Sequence, residues 1–194
     1  MDLSKRQIEI IQAATKIIGD KGIQNLTTKN LAAEMGFSEP ALYRHFKGKT
    51  DILVSVLKFY KESLQKGMSE IILSNDNGID KLDKILKFQF NHFSKNPAIV
   101  MVIFAETSFQ YEKELSQIVL EILNKKKGTL EKIIVAGQED GSIRKDVSSE
   151  HISSIFMGGM RFTILKWRLN DYNFELNNEA NNLANAYRSL FKIN

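Results

Sequence analysis

TTKNLAAEMGFSEPALYRHFKGKTDIL, residues 27–53, is the stretch on which the reading of this chain turns. Thr27 or Thr28 supplies a hydroxyl N-cap for a short helix predicted over Lys29–Met35. Gly36 breaks that helix, because a residue without Cβ adopts the positive φ that a tight turn needs. Ser38 is expected to cap the next helix, with Pro40 in its first turn, where a missing N–H costs little. Leu31, Ala32 and Met35 share one face of the first of these helices. Phe37 and Leu42 fill the space toward a preceding helix, and Phe46 anchors the end. The polar residues left over project the other way: Thr28, Lys29, Ser38, Glu39, Tyr43, Arg44 and His45, with Lys49 just beyond.

That outward set suits duplex DNA. A recognition helix enters the major groove with its first residues at base edges. Arg44 offers two hydrogen bonds to guanine and Glu39 an acceptor for cytosine N4, while Pro40 and Ala41 offer apolar contact to a thymine methyl. Hydroxyls and helix N-termini hold phosphates and set register. Lys29 and Lys49 add a salt-dependent affinity term at the rim.

Thr28, Leu31-Ala32, Gly36-Phe37-Ser38, Leu42-Tyr43, His45-Phe46, Lys49 and Leu53 together resemble the pattern of the TetR family of bacterial regulators, over about residues 5–60. The resemblance implies that Thr28, Ser38, Tyr43, His45 and Lys49 contact phosphates. It implies that Lys29, Glu39, Pro40, Ala41 and Arg44 face bases or the groove. It further implies a body, after the helix-turn-helix head, that binds a small molecule and dimerises.

Outward from the motif the chain reads as helix throughout. Ser4 with Gln7 forms a capping box ahead of Ile8, Ile11, Thr15 and Ile18 at helical spacing. A long helix is expected over Lys49–Leu73, and Ser74-Asn75-Asp76-Asn77-Gly78 is the clearest loop. Further helices are expected over Ile79–Ser94, from Pro97 through Phe104, from Ser108 to about Gln138 with a kink near Gly128, over Ser148–Leu169 and over Asn177–Phe191. The predicted fold is therefore all-α, about nine helices, with a head over residues 1–48 and a body over residues 49–194. Lys125-Lys126-Lys127 reads as a solvated helix face.

The body yields expectations rather than motifs. Polar groups that interrupt apolar stretches, His92, Glu106 and Arg161, join Phe88, Phe104 and Trp167 as candidates to line an effector site. A buried charge needs a partner or a ligand. The abundance of aromatic residues suggests a hydrophobic or amphipathic effector. The helix over Ser148–Leu169 carries two apolar stripes, Ile152/Ile155/Phe156/Gly159 and Met157/Met160/Ile164/Trp167, and so must be covered on two sides. Ile152, Ile155, Phe156 and Gly159, with Leu183, Tyr187 and Leu190 of the last helix, are the expected face of a homodimer. A dimer would place two recognition helices on a palindromic operator.

Composition narrows the alternatives. Net charge is +4 with a pI near 9.1. Residues 1–50 carry eight Lys/Arg against five Asp/Glu, so the charge is concentrated in the head. The absence of cysteine excludes disulfides, thiolate zinc sites and a cysteine nucleophile. None of the three histidines, His45, His92 and His151, has a glutamate three residues before it, which argues against a di-iron bundle enzyme. No metal site, cofactor or enzymatic activity is expected. The start MDLSKRQIEI has no signal-type apolar region and the chain no 18-residue apolar run, so a cytoplasmic protein without membrane contact is expected. The functional expectation is a ligand-responsive regulator of transcription, a repressor by the family's commoner mode. The alternative is a DNA-bound adaptor that engages a protein partner. Effector, operator sequence and regulated genes are not written in the chain.

Overall fold

The computed structural model describes residues 3–104 and 112–192. Among them are nine α-helices: α1 (Lys5–Lys21), α2 (Thr28–Glu34), α3 (Glu39–Tyr43), α4 (Lys49–Leu73), α5 (Gly78–Lys95), α6 (Pro97–Ile103), α7 (Lys113–Glu139), α8 (Ser149–Leu169) and α9 (Leu176–Phe191). A single 3-10 turn, Ile23–Asn25, lies between α1 and α2, and no strand occurs among the described residues. The expected start of the seventh helix at Ser108 lies outside the described residues. The expected kink at Gly128 is not found: α7 is one helix of 27 residues through that position.

The chain divides into two compact units. The first comprises Met1–Ser63 and Asn96–Glu121, and the second Leu64–Lys95 and Ile122–Asn194. In the first, α1 begins at the capping box of Ser4 and Gln7 and buries Ile10, Ile11, Ala14, Thr15, Ile17 and Ile18. It packs along α6, where Gly19 abuts Ala98 with no room for a side chain. Leu31 and Ala32 of α2, Leu42 of α3, Phe46, and Ile52 through Leu57 of α4 are buried in the same unit.

In the second unit, α5 packs along α9, and α9 packs on α8. Leu82, Ile85, Leu86, Phe90, Phe156 and Ile164 are buried there, Phe90 and Phe156 completely. The start of α5 presses on the end of α7, where Gly78 meets Gly137 backbone to backbone. Asp140 Oδ2 accepts from the Gly78 amide at 3.0 Å and fixes that junction. Arg188 of α9 reaches Asp80 at 2.6 Å and Asp83 at 3.1 Å.

The two apolar stripes of α8 fall differently from the sequence expectation. Ile152, Phe156, Met160, Ile164 and Trp167 form one inward row at i+3/i+4 spacing, and Ile155 and Phe162 lie on the exposed side. The expectation took the right residues and the wrong phase. In a helix apolar on two sides, periodicity alone leaves the dividing line free.

Phe90→Ala should cost about 3–5 kcal/mol by urea denaturation, the range for emptying a fully buried aromatic site. Leu73→Ala, at a position 81% exposed, should stay within about 0.5 kcal/mol.

Candidate nucleic-acid interface and buried lysine

Thr27, not Thr28, caps α2: its hydroxyl accepts from the Asn30 amide at 3.0 Å. The helix starts one residue earlier than expected, and the Thr28 hydroxyl is thereby released to donate to Glu39 Oε2 at 2.9 Å. Gly36 takes φ +67°, and the Phe37 amide returns to the Ala32 carbonyl at 2.8 Å, closing the turn between α2 and α3. Ser38 stands at the N-cap of α3 by position, but its side chain makes no capping bond, contrary to expectation.

Three contacts hold this turn against the rest of its unit. The Gln7 side-chain amide donates to the His45 carbonyl at 3.3 Å. Arg6 lies over the Phe37 ring, 4.8 Å from its centroid, which gives Phe37 a half-buried place at the rim rather than a fully buried one. Lys16 and Glu34 pair at 2.6 Å, linking α1 to α2. At the far end the carboxylate of Asp51 accepts from the Lys47 amide at 2.8 Å and starts α4.

The result is an α3 with its apolar side inward and its polar side in solvent. Leu42 and Phe46 are buried, whereas Lys29, Ser38, Pro40, Tyr43, Arg44 and Lys49 are exposed, Tyr43 to 52%. Thr28, Glu39, Ala41 and His45 are half-buried. Lys49 Nζ leans back to the Ile23 carbonyl at 3.4 Å, at the edge of hydrogen-bond reach. None of the predicted contact residues is fully buried.

The expected effector-site residues do not form a comparable group. Trp167 is buried, and its indole N–H is spent on the Phe174 carbonyl at 2.9 Å, closing the loop after α8. Arg161 is exposed. Phe88 is half-buried and stacks with His92 at 6.2 Å between centroids. Burial lowers the His92 pKa. Phe104 is buried in the first unit, and Glu106 lies outside the described residues.

The expected dimer residues also divide. Ile152, Phe156 and Tyr187 belong to the protomer's own core. Tyr187 lies against Gly159, where any side chain would strike its hydroxyl, and donates to the Phe156 carbonyl at 2.8 Å. Burial pushes its phenol up to about 12. Ile155 and Leu190 are exposed, and Gly159 and Leu183 half-buried. Phe162, not among the expected residues, is 67% exposed and lies seven residues beyond Ile155 on the same side of α8.

Sequence reasoning also missed Lys126. Of the lysine run, Lys125 is exposed and Lys127 pairs with Glu150 at 2.9 Å and with Glu131 at 3.6 Å, as a solvated face would. Lys126 is half-buried as a residue, like Lys127, but its ammonium turns inward, donating to Gln89 Oε1 at 2.7 Å and lying 3.7 Å from the Met160 sulfur. Both neighbours are buried, Gln89 at 2% and Met160 at 5% exposure. Among the described residues no carboxylate pairs with it. Burial brings its pKa down to about 7. The only hint in the sequence is that Lys126 lies four residues before the apolar Leu130, on the inward side of the helix.

The sign of the resulting pH dependence follows. The unfolded chain holds the Lys126 proton to about pH 10.4 and the folded chain only to about 7, so folding expels a proton between these limits. The penalty is complete below pH 7 and is relieved as pH rises toward 10. Lys126→Met should raise stability at pH 7, and its advantage should shrink by about 1.4 kcal/mol or less per pH unit up to pH 10. Denaturation curves of both proteins across that range measure the difference.

The comparisons with known proteins agree with this geometry. Residues 10–56 match the bacterial regulatory proteins of the tetR family, and residues 60–190 match the YsiA-like protein C-terminal region. The fatty acid metabolism regulator protein of Bacillus subtilis (strain 168) is 25% identical over 171 residues, 88% of either chain. The nucleoid occlusion factor SlmA of Yersinia pestis is 33% identical over 99 residues, half of either chain. Among solved structures, FadR of Bacillus subtilis in complex with stearoyl-CoA aligns with a TM-score of 0.84 at 24% identity, covering 94% of this chain and 97% of that one. FadR of Bacillus halodurans aligns with a TM-score of 0.88 at 17% identity, covering 97% of both. None of the described helices is long and apolar enough to cross a membrane. With both parts of the chain matched and its helix-turn-helix surface in place, the chain belongs to the TetR family of DNA-binding transcriptional regulators.

Proposed function

We propose that this regulator is a repressor of genes of fatty-acid metabolism, released from its operator by a long-chain fatty-acyl ligand. The observation that carries the reading is the relationship to the Bacillus subtilis fatty acid metabolism regulator along 88% of both chains, which takes in the body as well as the head. The stearoyl-CoA named with the Bacillus subtilis FadR structure supplies the ligand class. An apolar chain with an anionic end also fits the expectation of an amphipathic effector.

In this reading the head occupies residues 1–48 and the effector and dimer functions residues 49–194. Arg44, Glu39, Lys29, Pro40 and Ala41 face the major groove, and Thr28, Ser38, Tyr43, His45 and Lys49 hold the sugar–phosphate backbone. The Thr28–Glu39 hydrogen bond gives Glu39 a second task, holding the start of α3 against α2. Two copies pair through exposed apolar residues of α8 and α9, with Ile155, Phe162 and Leu190 at the centre. The effector acts by binding more tightly to the state whose heads do not fit the operator; without differential affinity it would shift nothing.

The second reading, an adaptor that engages a protein partner on DNA, draws on the SlmA relationship, which spans half of either chain.

The deciding experiment is a titration of a duplex selected by the protein from a random pool, with and without stearoyl-CoA. At least a tenfold loss of affinity is expected at saturating ligand; unchanged affinity sinks the sensor reading in favour of the adaptor. On the same duplex Arg44→Ala should weaken binding by about 1–3 kcal/mol and relax preference at one base pair. Lys49→Ala should weaken all sequences alike and reduce the salt slope by about one. A Phe162→Glu/Leu190→Glu double variant should sediment as a monomer and bind DNA weakly; an intact dimer would place the interface elsewhere.

A further inference from the structure

The ammonium of Lys126 turns inward in the second unit, and no carboxylate among the described residues pairs with it. An ammonium carries three donors, and Lys126 has one good acceptor, Gln89 Oε1 at 2.7 Å, and one weak one, the Met160 sulfur at 3.7 Å. The Gln89 amide is itself fixed: its nitrogen donates to the Met68 sulfur at 3.3 Å, which leaves its oxygen turned to Lys126. The hydrogen-bond partners of the ammonium are thus a glutamine oxygen and a thioether sulfur, polarisable but uncharged. Surface lysines normally run their stems along apolar surface and keep the head in water. Lys126 does the reverse, on a helix whose adjacent residues Lys125 and Lys127 both find solvent or carboxylates. A cation held in this way costs stability, and such a cost persists at sites where a ligand supplies the missing charge.

We propose that Lys126, oriented by Gln89, is the built-in counter-charge for an oxyanion at the polar end of a long-chain acyl ligand bound within the second unit. The inference rests on the fatty-acyl reading above and adds the residue that recognises the ligand's charge. Two sources share this chemistry: the carboxylate of a free fatty acid and a phosphate of an acyl-CoA. Apolar walls would hold the chain of either without discriminating its head. The ion pair makes binding depend on that head, because only an anion draws a proton onto Lys126 and pairs with it, whereas a neutral analogue gains no such pair.

The test is calorimetric titration of the full-length protein at pH 8 with stearate, stearoyl-CoA and neutral stearamide, in two buffers of different ionisation enthalpy. Wild type should bind at least one of the two anions with uptake of about one proton, since the ammonium is restored on pairing. Stearamide should bind at least tenfold more weakly than that anion. Lys126→Met should lose tenfold or more in affinity for the anion, about 1.4 kcal/mol or more, together with the proton uptake. Lys125→Met, one residue away and in solvent, should match wild type. Binding of stearate alone assigns the carboxylate and binding of stearoyl-CoA alone a phosphate, and either supports the proposal. Unchanged affinity and proton uptake in Lys126→Met overturn the role of Lys126 while leaving the fatty-acyl reading intact. Failure of wild type to bind either anion overturns both. Should Lys126→Met fail to fold, lysine-selective NMR of wild type decides: the Lys126 titration midpoint must rise by about two pH units or more on addition of the bound anion, and an unmoved midpoint overturns the proposal.

Discussion

A helix of five residues does not hold its shape in water, since nucleation costs more than so few hydrogen bonds return. The second helix of the helix-turn-helix, Glu39–Tyr43, is such a helix, and it persists because Leu42 and Phe46 are buried and the turn before it is closed by Gly36. The polar residues between these anchors are then directed outward with no contribution of their own. This arrangement separates the two tasks: the buried positions set the pose, and the exposed positions are free to specify sequence. The Thr28–Glu39 hydrogen bond is the exception, an outward residue enlisted to hold the pose.

The second unit is organised on the opposite principle. Its cation is placed inside, at Lys126, and is not neutralised by the residues around it. Other polar groups there are paired: Arg188 spans Asp80 and Asp83, Asp140 caps the start of α5, and Tyr187 is both buried and hydrogen-bonded. A cation drawn inward without a carboxylate among the described residues is where function and stability part company. The physical consequence of the depressed Lys126 pKa is a body less stable below neutral pH than its core would allow.

The fold was legible from the sequence to a large extent. Capping residues, Gly36, Pro40 and Pro97, and the loop before Gly78 are local signals, and helix boundaries followed them closely. Ser38 shows the limit: a good capping residue at the capping position makes no capping bond. The α8 stripes show another, because a helix apolar all round carries no mark of which neighbour covers which side. The effector-site candidates illustrate a related point. A polar residue within an apolar run can point out, as Arg161 does, and an aromatic one can find a carbonyl nearby, as Trp167 does.

By itself, the sequence determined the all-α class, the helix-turn-helix and the division of its residues into buried and outward sets, because capping, turn formation and 3.6-residue periodicity act over a few residues and need no distant partner. Only the tertiary structure decided that α8 buries Phe156 and exposes Phe162, that Tyr187 fills the space over Gly159, and that the middle lysine of three turns away from water. Those outcomes depend on which helix lies alongside, and contacts such as Lys126 with Gln89 join residues far apart in the chain. A lysine's environment is set by its neighbours in space, and three adjacent lysines look alike until those neighbours are in place.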